Sequence, residues 1–342
     1  MTLLSKTLTP IQIVGTQRSG SNLLRLILNQ SPLISAHHPP HILKVFYPIL
    51  HKYGDLEQHD NFSRLVHDVC RLVETNPVKW NLNLDRNEIL KNCREHTLVE
   101  VYRAVYEAMA IQEGASFWCC KSMANLNYYE AIEANGMKPY YIHLVRDGRD
   151  VAASFKKTLV GEKHAYHLAA IWKNNYLKAK KLFQHVEPKR CLTISYESLI
   201  ANPKEVLEQI NAFLGLHLDE TALEYFNSNE SKITAAAGYM WSNLTMPIMS
   251  NNTRKFLEVL TPEEIEIFER VAGDVLEENG YGLITNPVSS GFSAETINKF
   301  NEKNVLLKKE ALLSNHLKVD RLCRIKRNEL LEELNAFKAV VA

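Results

Sequence analysis

A chain of 342 residues allows one large domain or two small ones. With 46% hydrophobic and 23% charged residues it has globular composition, and a net charge of +1 gives no bulk electrostatic case for a nucleic-acid partner. No apolar run reaches the roughly 18 residues of a membrane span, Met1–Pro10 lacks the apolar core of a secretory signal, and Cys70, Cys93, Cys119, Cys120, Cys191 and Cys323 form no CxxC or Cys/His zinc spacing; the expectation is a cytoplasmic protein with reduced thiols, no membrane contact and no metal.

Ile11–Gly15 (IQIVG) reads as a short strand ending in a glycine turn, and Asn22–Asn29 (NLLRLILN) follows with helical apolar spacing. Residues 31–48 hold four prolines and read as loop. A helical insertion spans about 45–112, ending in the amphipathic stretch Thr97–Gln112. Phe117–Cys120 is a second strand, and Asn125–Asn135 a helix. Tyr140–Val145 (YYIHLV) is a third strand, followed by a helix over 151–157 and a long one over 164–185. Arg190–Ser195 is a fourth strand, and Pro203–Leu214 and Pro262–Asn279 are helices with proline near the start. Strands alternating with helices predict an α/β fold, a P-loop-like parallel sheet flanked by helices on both faces. Residues 1–290 form this domain. The stretch 291–342 is a helical C-terminal extension, with leucines at 306, 313, 317, 331 and 334 for packing onto the parent domain or for a homodimer contact through these helices.

Two segments carry chemistry. In Gly15-Thr-Gln-Arg-Ser-Gly-Ser-Asn22 a strand enters a glycine turn and then a helix, so free backbone N–H groups converge with the positive end of the helix dipole behind them, a geometry suited to phosphate oxygens. The segment departs from GxxxxGK[ST]: Ser21-Asn22 stand where Lys-Ser/Thr is required, and the cation is Arg18, inside the loop. In the second segment YYIHLV delivers Arg146 to a strand's carboxyl end, the ligand edge of an open α/β sheet. Its planar fork suits a phosphate. On a helix over 151–157, Ser154 lies two turns further on and faces the same ligand. The alternative is a surface network among Arg146, Asp147, Arg149 and Asp150.

Taken together, IVGTQRSGSNLLRLIL, YYIHLVRDGRDVAASF and ISYESLIANPKEVLEQINAFLGL resemble the sulfotransferase superfamily, whose members use 3′-phosphoadenosine 5′-phosphosulfate (PAPS) and release 3′,5′-diphosphoadenosine (PAP). The resemblance covers about residues 10–285, not the tail, and is closer to the bacterial and tyrosylprotein-type branch than to the animal cytosolic enzymes. It implies that Arg18 and the backbone of Ser19, Gly20, Ser21 and Asn22 hold the 5′-phosphosulfate, that Arg146 and Ser154 hold the 3′-phosphate, and that Tyr196 contacts the adenine end. Arg254 or Lys255 would add a cation, although the family's RKGxxGDW run is missing here.

Sulfuryl transfer builds charge on a leaving oxygen, which calls for preplaced cations. Arg18 and Lys121, which follows the strand FWCC, are the candidates. The acceptor's proton calls for a base. The resemblance places one at Met123, which cannot take a proton, or in the loop after the first helix. That loop reads Ser35-Ala-His-His-Pro-Pro-His41, so His38 is assigned as base, with His37 and His41 as substitutes. Tyr47, Tyr53, Trp80, Trp118, Tyr239 and Trp241 are candidates for an apolar acceptor pocket. The reading is sulfuryl transfer from PAPS to a hydroxyl or amine of a small molecule, in the direction of microbial secondary metabolism. The alternatives are a P-loop kinase or nucleotide hydrolase, and an inactive PAPS- or PAP-binding protein.

Overall fold

The structure, a computed structural model, describes residues 8–287, 291–314 and 317–337. The first strand, β1 (Thr9–Gly15), turns tightly into α1 (Ser21–Leu28). A two-residue strand, β2 (Ile34–Ser35), precedes four helices: α2 (Ile42–Phe46), α3 (His59–Glu74), α4 (Arg86–Asn92) and α5 (Leu98–Gln112). Then come β3 (Phe117–Cys120), α6 (Tyr129–Ala134), β4 (Tyr140–Val145), α7 (Gly148–Lys156), α8 (Ala165–His185), β5 (Cys191–Ser195), α9 (Tyr196–Ala201) and α10 (Pro203–Leu214). Past the last strand lie α11 (Asn229–Ala236), α12 (Phe256–Val259) and α13 (Pro262–Glu278), then the tail helices α14 (Ala294–Leu313), α15 (Lys318–Leu322) and α16 (Ile325–Ala336).

The five strands form one parallel sheet in the order β2-β3-β1-β4-β5, with Ile11 aligned to Cys119 on one side and Tyr140 on the other, and Val145 aligned to Ser195. Helices cover both faces, so strand residues on both faces are buried and the strands read as nearly continuous apolar runs. Ile11, Ile13, Ile142 and Leu144 pack with Leu24 and Ile27 of α1 and Val206 and Ile210 of α10. Val14 and Tyr141, on the alternate face, pack with Ala179 and Leu182 of α8. Gln12, the polar exception in β1, is fully buried but satisfied: its Nε2 donates to Tyr102 Oη (2.7 Å) and its Oε1 accepts from Asn125 Nδ2 (3.1 Å).

All four predicted strands form. The fifth, β2, lies inside the proline-rich stretch assigned to loop; it pairs with Phe117 and Trp118 over two residues only, too short for a periodicity to show. The predicted helix over 125–135 is a 3-10 turn (Met123–Asn127) followed by α6. The tail is held on its own domain. Leu330 and Leu334 of α16 are buried in the core formed by α2, α3 and α5. Asn304 of α14 accepts from the backbone N–H groups of Lys163 (2.9 Å) and His164 (3.1 Å). Val305, Leu306, Leu312 and Leu313 of α14 stay exposed. Among the described residues no helix is long and apolar enough to cross a membrane.

Candidate active site

Parallel strands end on one edge, and here adjacent ends carry the chemistry. β1 delivers the turn with Arg18, β3 delivers Lys121, β4 delivers Arg146, and β5 delivers Tyr196. The turn after β1 depends on two glycines. Gly15 has φ +133°, and a Cβ there would lie 2.6 Å from Leu144 O; Gly20 has φ +88°, and a Cβ there would lie 2.4 Å from the Tyr196 ring. Arg18 also takes a left-handed φ, +73°. Gly20 is the N-cap of α1, and no side chain caps the helix, so its first N–H groups are available to an anion.

These strand ends open into one cavity of about 500 Å³, a size typical of small-molecule sites. Arg18, Gly20, Ser21, Asn22, His38, Lys121, Arg146 and Tyr196 all line it. Ser19 is buried and Ser154 is half-buried; neither lines the cavity. Ser154 is nevertheless tied to the site, since Arg18 Nε donates to its Oγ (3.0 Å). Arg18 Nη2 donates to Met240 O (3.1 Å), while Arg146 Nη1 donates to Arg18 O (3.1 Å) and Nη2 to Asn252 O (3.1 Å). The Arg146 guanidinium carbon lies 4.2 Å from the Tyr196 ring centroid, and its buried Nε has no partner. Asn252 Nδ2 donates to Tyr196 Oη (2.7 Å) and locks the ring. Arg18, expected with the 5′ end, therefore shares one cluster with Ser154 and Arg146.

The electrostatics are one-sided. Among the described residues no Asp or Glu lines the cavity, whereas Arg18, Lys44, Lys121, Arg146, Arg324 and Arg327 do. Burial, reinforced by Arg146, lowers Arg18 to about 10. Burial, then Arg25 and Arg18, pulls the Lys121 amine well below its usual range. His38 is held by its carbonyl, which accepts from Trp80 Nε1 (2.7 Å) and Asn76 Nδ2 (3.1 Å), while neither of its ring nitrogens has a hydrogen-bond partner. Burial and the Lys121 charge push its pKa well below the usual range, so the ring is neutral with a free lone pair. His41 also lines the cavity, but its Nδ1 hydrogen-bonds Ser122 Oγ (2.8 Å).

Several expectations need correction. His37 lies outside the cavity, ion-paired to Glu113 (2.8 Å) and Glu230 (3.7 Å). Burial lowers its pKa, but the two carboxylates outweigh that and raise it to about 9, so the ring carries its proton at neutral pH and has no lone pair for a base. Arg254 and Lys255 do not line the cavity either: the Arg254 backbone N–H donates to Asp150 (2.8 Å), and Lys255 pairs with Glu258. Of the six aromatic candidates only Trp241 lines it. Trp118 and Tyr53 are core, Trp80 clamps His38, Tyr47 stacks on Tyr128, and Tyr239 is exposed. Arg149 is structural, paired in the interior with Asp147 (2.7 Å) and Glu269 (2.5 Å). Sequence reasoning missed Lys44, Asn76, Asn252, Arg324 and Arg327. Only Arg324 and Arg327 left a signal, two arginines three apart on the helix whose leucines were noticed.

A model of the sulfotransferase family matches residues 10–220. Two solved structures share the fold. One is the sulfotransferase domain of the Synechococcus PCC 7002 olefin synthase: 21% identity, TM-score 0.54, covering 77% of this chain and 94% of that one. The other is the sulfotransferase domain from the curacin biosynthetic pathway: 20% identity, TM-score 0.54, covering 82% of this chain and 100% of that one. A search of curated proteins returns no match. The match spans the Arg18 turn and the ends of β3, β4 and β5 that build this cavity, and the chain belongs to the sulfotransferase family.

Proposed function

We propose that this sulfotransferase takes its sulfuryl group from PAPS and moves it to a hydroxyl, or an amine, of a small-molecule acceptor. The observation that carries this reading is a cavity lined by cations without a carboxylate, at the edge where adjacent parallel strands end. The residues fit such a donor. The unpartnered Nε of Arg146, with Arg18 and Ser154 beside it, suits the 3′-phosphate. Tyr196, Ile200 and Tyr225 offer apolar walls for the base. The uncapped start of α1 and Lys121 suit the phosphosulfate end.

When bound, PAPS supplies an activated sulfuryl group: the acceptor oxygen bonds to sulfur as the bridging S–O bond breaks, and the electron pair leaves on the 5′-phosphate of PAP. Lys121 meets the charge that grows on the leaving oxygen. His38 takes the acceptor's proton at its free ring nitrogen. Its low basicity in the free protein has a remedy within the site, because an anion neutralising Lys121 removes the charge that most opposes protonation of the ring. Six free thiols suit a reducing, cytoplasmic setting, and the acceptor is then a cytoplasmic metabolite, in keeping with secondary metabolism.

The test is calorimetry of the full chain with PAP in the absence of metal, followed by incubation with labelled PAPS and a metabolite extract. Binding of PAP together with a labelled product supports the reading. Preference for magnesium ATP overturns it in favour of a kinase or hydrolase, and PAP binding without any labelled product favours an inactive binding protein.

A further inference from the structure

The donor reading uses Arg18, Lys121 and Arg146. It leaves Lys44, Arg324 and Arg327, in the same carboxylate-free cavity, with no task. Arg324 and Arg327 come from the start of α16, outside the residues that match the family. They are not on a loose tail, because Leu330 and Leu334 of the same helix are buried in the domain core. That packing sets where both arginines stand.

Both arginines line the same cavity as His38. Arg324 lies over Trp241 (5.3 Å to the ring centroid), and the His38 ring meets the same indole edge-on at 4.7 Å. Arg327 Nη2 donates to the carbonyl of Pro40, between His38 and His41 (2.8 Å), and Nη1 reaches Asn76 Oδ1 at 3.4 Å. Arg327 and Lys44 have no carboxylate within ion-pair distance among the described residues. Arg324 has Asp320 Oδ1 at 3.7 Å, beyond hydrogen-bond reach, while Asp320 Oδ2 accepts from the Tyr239 backbone N–H (2.6 Å). Burial, with Arg324 beside it, lowers Arg327 to about 10. Both guanidinium groups are half-buried and line the cavity, so each has N–H groups left to offer an anion there. Val45, Pro77, Trp241 and Leu331 line the same end and add an apolar wall.

We infer that the acceptor is itself an anion: a molecule with an apolar body and a carboxylate or phosphate held by Arg324 and Arg327, with Lys44 beside them, so that its hydroxyl lies at His38. This rests on the sulfotransferase reading above and adds the acceptor's chemical class. Arg324 and Arg327 act as specificity-determining binding residues.

The test uses the full chain saturated with PAP. Two acid–ester pairs, 12-hydroxydodecanoate and 4-hydroxyphenylacetate each against its methyl ester, are titrated calorimetrically, and dodecyl phosphate distinguishes a phosphate reader from a carboxylate reader. The expected result is that at least one acid, or the phosphate, binds about tenfold or more tightly than the neutral probes. That preference is expected to shrink with added salt, to vanish in R324Q/R327Q and to survive in part in R327K. R324Q alone serves if the double variant fails to fold, since the hydrogen bond and ion pair of Arg324 are both with Asp320 of its own tail. Affinity for PAP should stay within about threefold of the parent in all of them. Equal binding of acid and ester, a preference that persists in the double variant, or no binding of any anionic probe overturns the inference. Failure of the parent protein to bind PAP, with the anion preference intact, sinks the donor reading instead.

Discussion

At the scale of single residues, the site is a set of cations with few close counter-ions: Asp150 stands 3.8 Å from Arg146 and Asp320 3.7 Å from Arg324. Beside that buried Asp150 carboxylate, Arg146 meets carbonyl oxygens through both terminal nitrogens and has nothing for its buried Nε. Arg146→Ala should weaken PAP binding about tenfold to a hundredfold, the cost of losing a charge-assisted fork; unchanged affinity by calorimetry would remove the 3′-phosphate assignment. Lys121 and His38 are both held below their ordinary basicity by burial and by neighbouring cations. A bound phosphate reverses the cationic part of that effect, so PAP binding should take up protons and its affinity should fall as pH rises. Titration in buffers of differing ionisation enthalpy reads the uptake directly, and Lys121→Met should diminish it. For catalysis, His38→Gln should lower kcat by about 10²–10⁴ while PAP affinity stays within about threefold. An unaffected kcat would show that the acceptor's proton leaves by another route.

The elements explain why part of this was legible in the sequence and part was not. Strand ends are local features: FWCC runs straight into Lys121 and YYIHLV into Arg146, so composition and order sufficed to place both at the ligand edge. The glycine turn was legible for the same reason, but the sheet order that sets β5 one strand beyond β4 was not, and that order brings Tyr196 against Gly20. Gly20→Ala should therefore fail twice. A left-handed residue with a Cβ costs about 1–2 kcal/mol, and the methyl, 2.4 Å from the Tyr196 ring, must displace the ring that Arg146 covers. Loss of both melting temperature and PAP affinity is expected; a variant that melts lower but binds PAP normally would separate the turn from the site. Arg254 and Lys255 were misplaced because their segment has no strand to aim it: its backbone is instead anchored through Asp150, which accepts from the N–H groups of Arg254 and Phe256. The contribution of α16 was illegible because nothing within the helix says which surface its leucines seek. Only the long-range fit of Leu330 and Leu334 against α2, α3 and α5 carries Arg324 and Arg327 to the cavity.

Across the whole molecule the near-zero net charge conceals a separation: cations concentrate in the cavity, and carboxylates are drawn into clasps behind it. One clasp joins distant parts of the chain. His37, just past β2, pairs with Glu113 at the end of α5 and faces Glu230 of α11, and Glu230 also accepts from Arg25 of α1 (2.7 Å). Burial alone would make His37 a poorer base; the hydrogen bond to Glu113 and the Glu230 charge at 3.7 Å overcome that, and its pKa rises to about 9 from an unfolded value near 6.5. The folded state thus binds a proton that the unfolded chain releases, which stabilises the fold fully below about pH 6.5 and progressively less as pH climbs toward 9. A shift of this size corresponds to about 3–4 kcal/mol. Equilibrium urea unfolding from pH 6 to 9.5 should show that loss, and His37→Gln should flatten the alkaline limb while leaving Glu230 its contact with Arg25. Because His37 is adjacent to His38, which reaches the cavity from the same loop, the clasp also fixes the proposed base, so its opening at high pH should lower turnover and stability together. A variant in which turnover falls with pH while the unfolding midpoint stays level would show instead that the alkaline limit belongs to Lys121 and the donor.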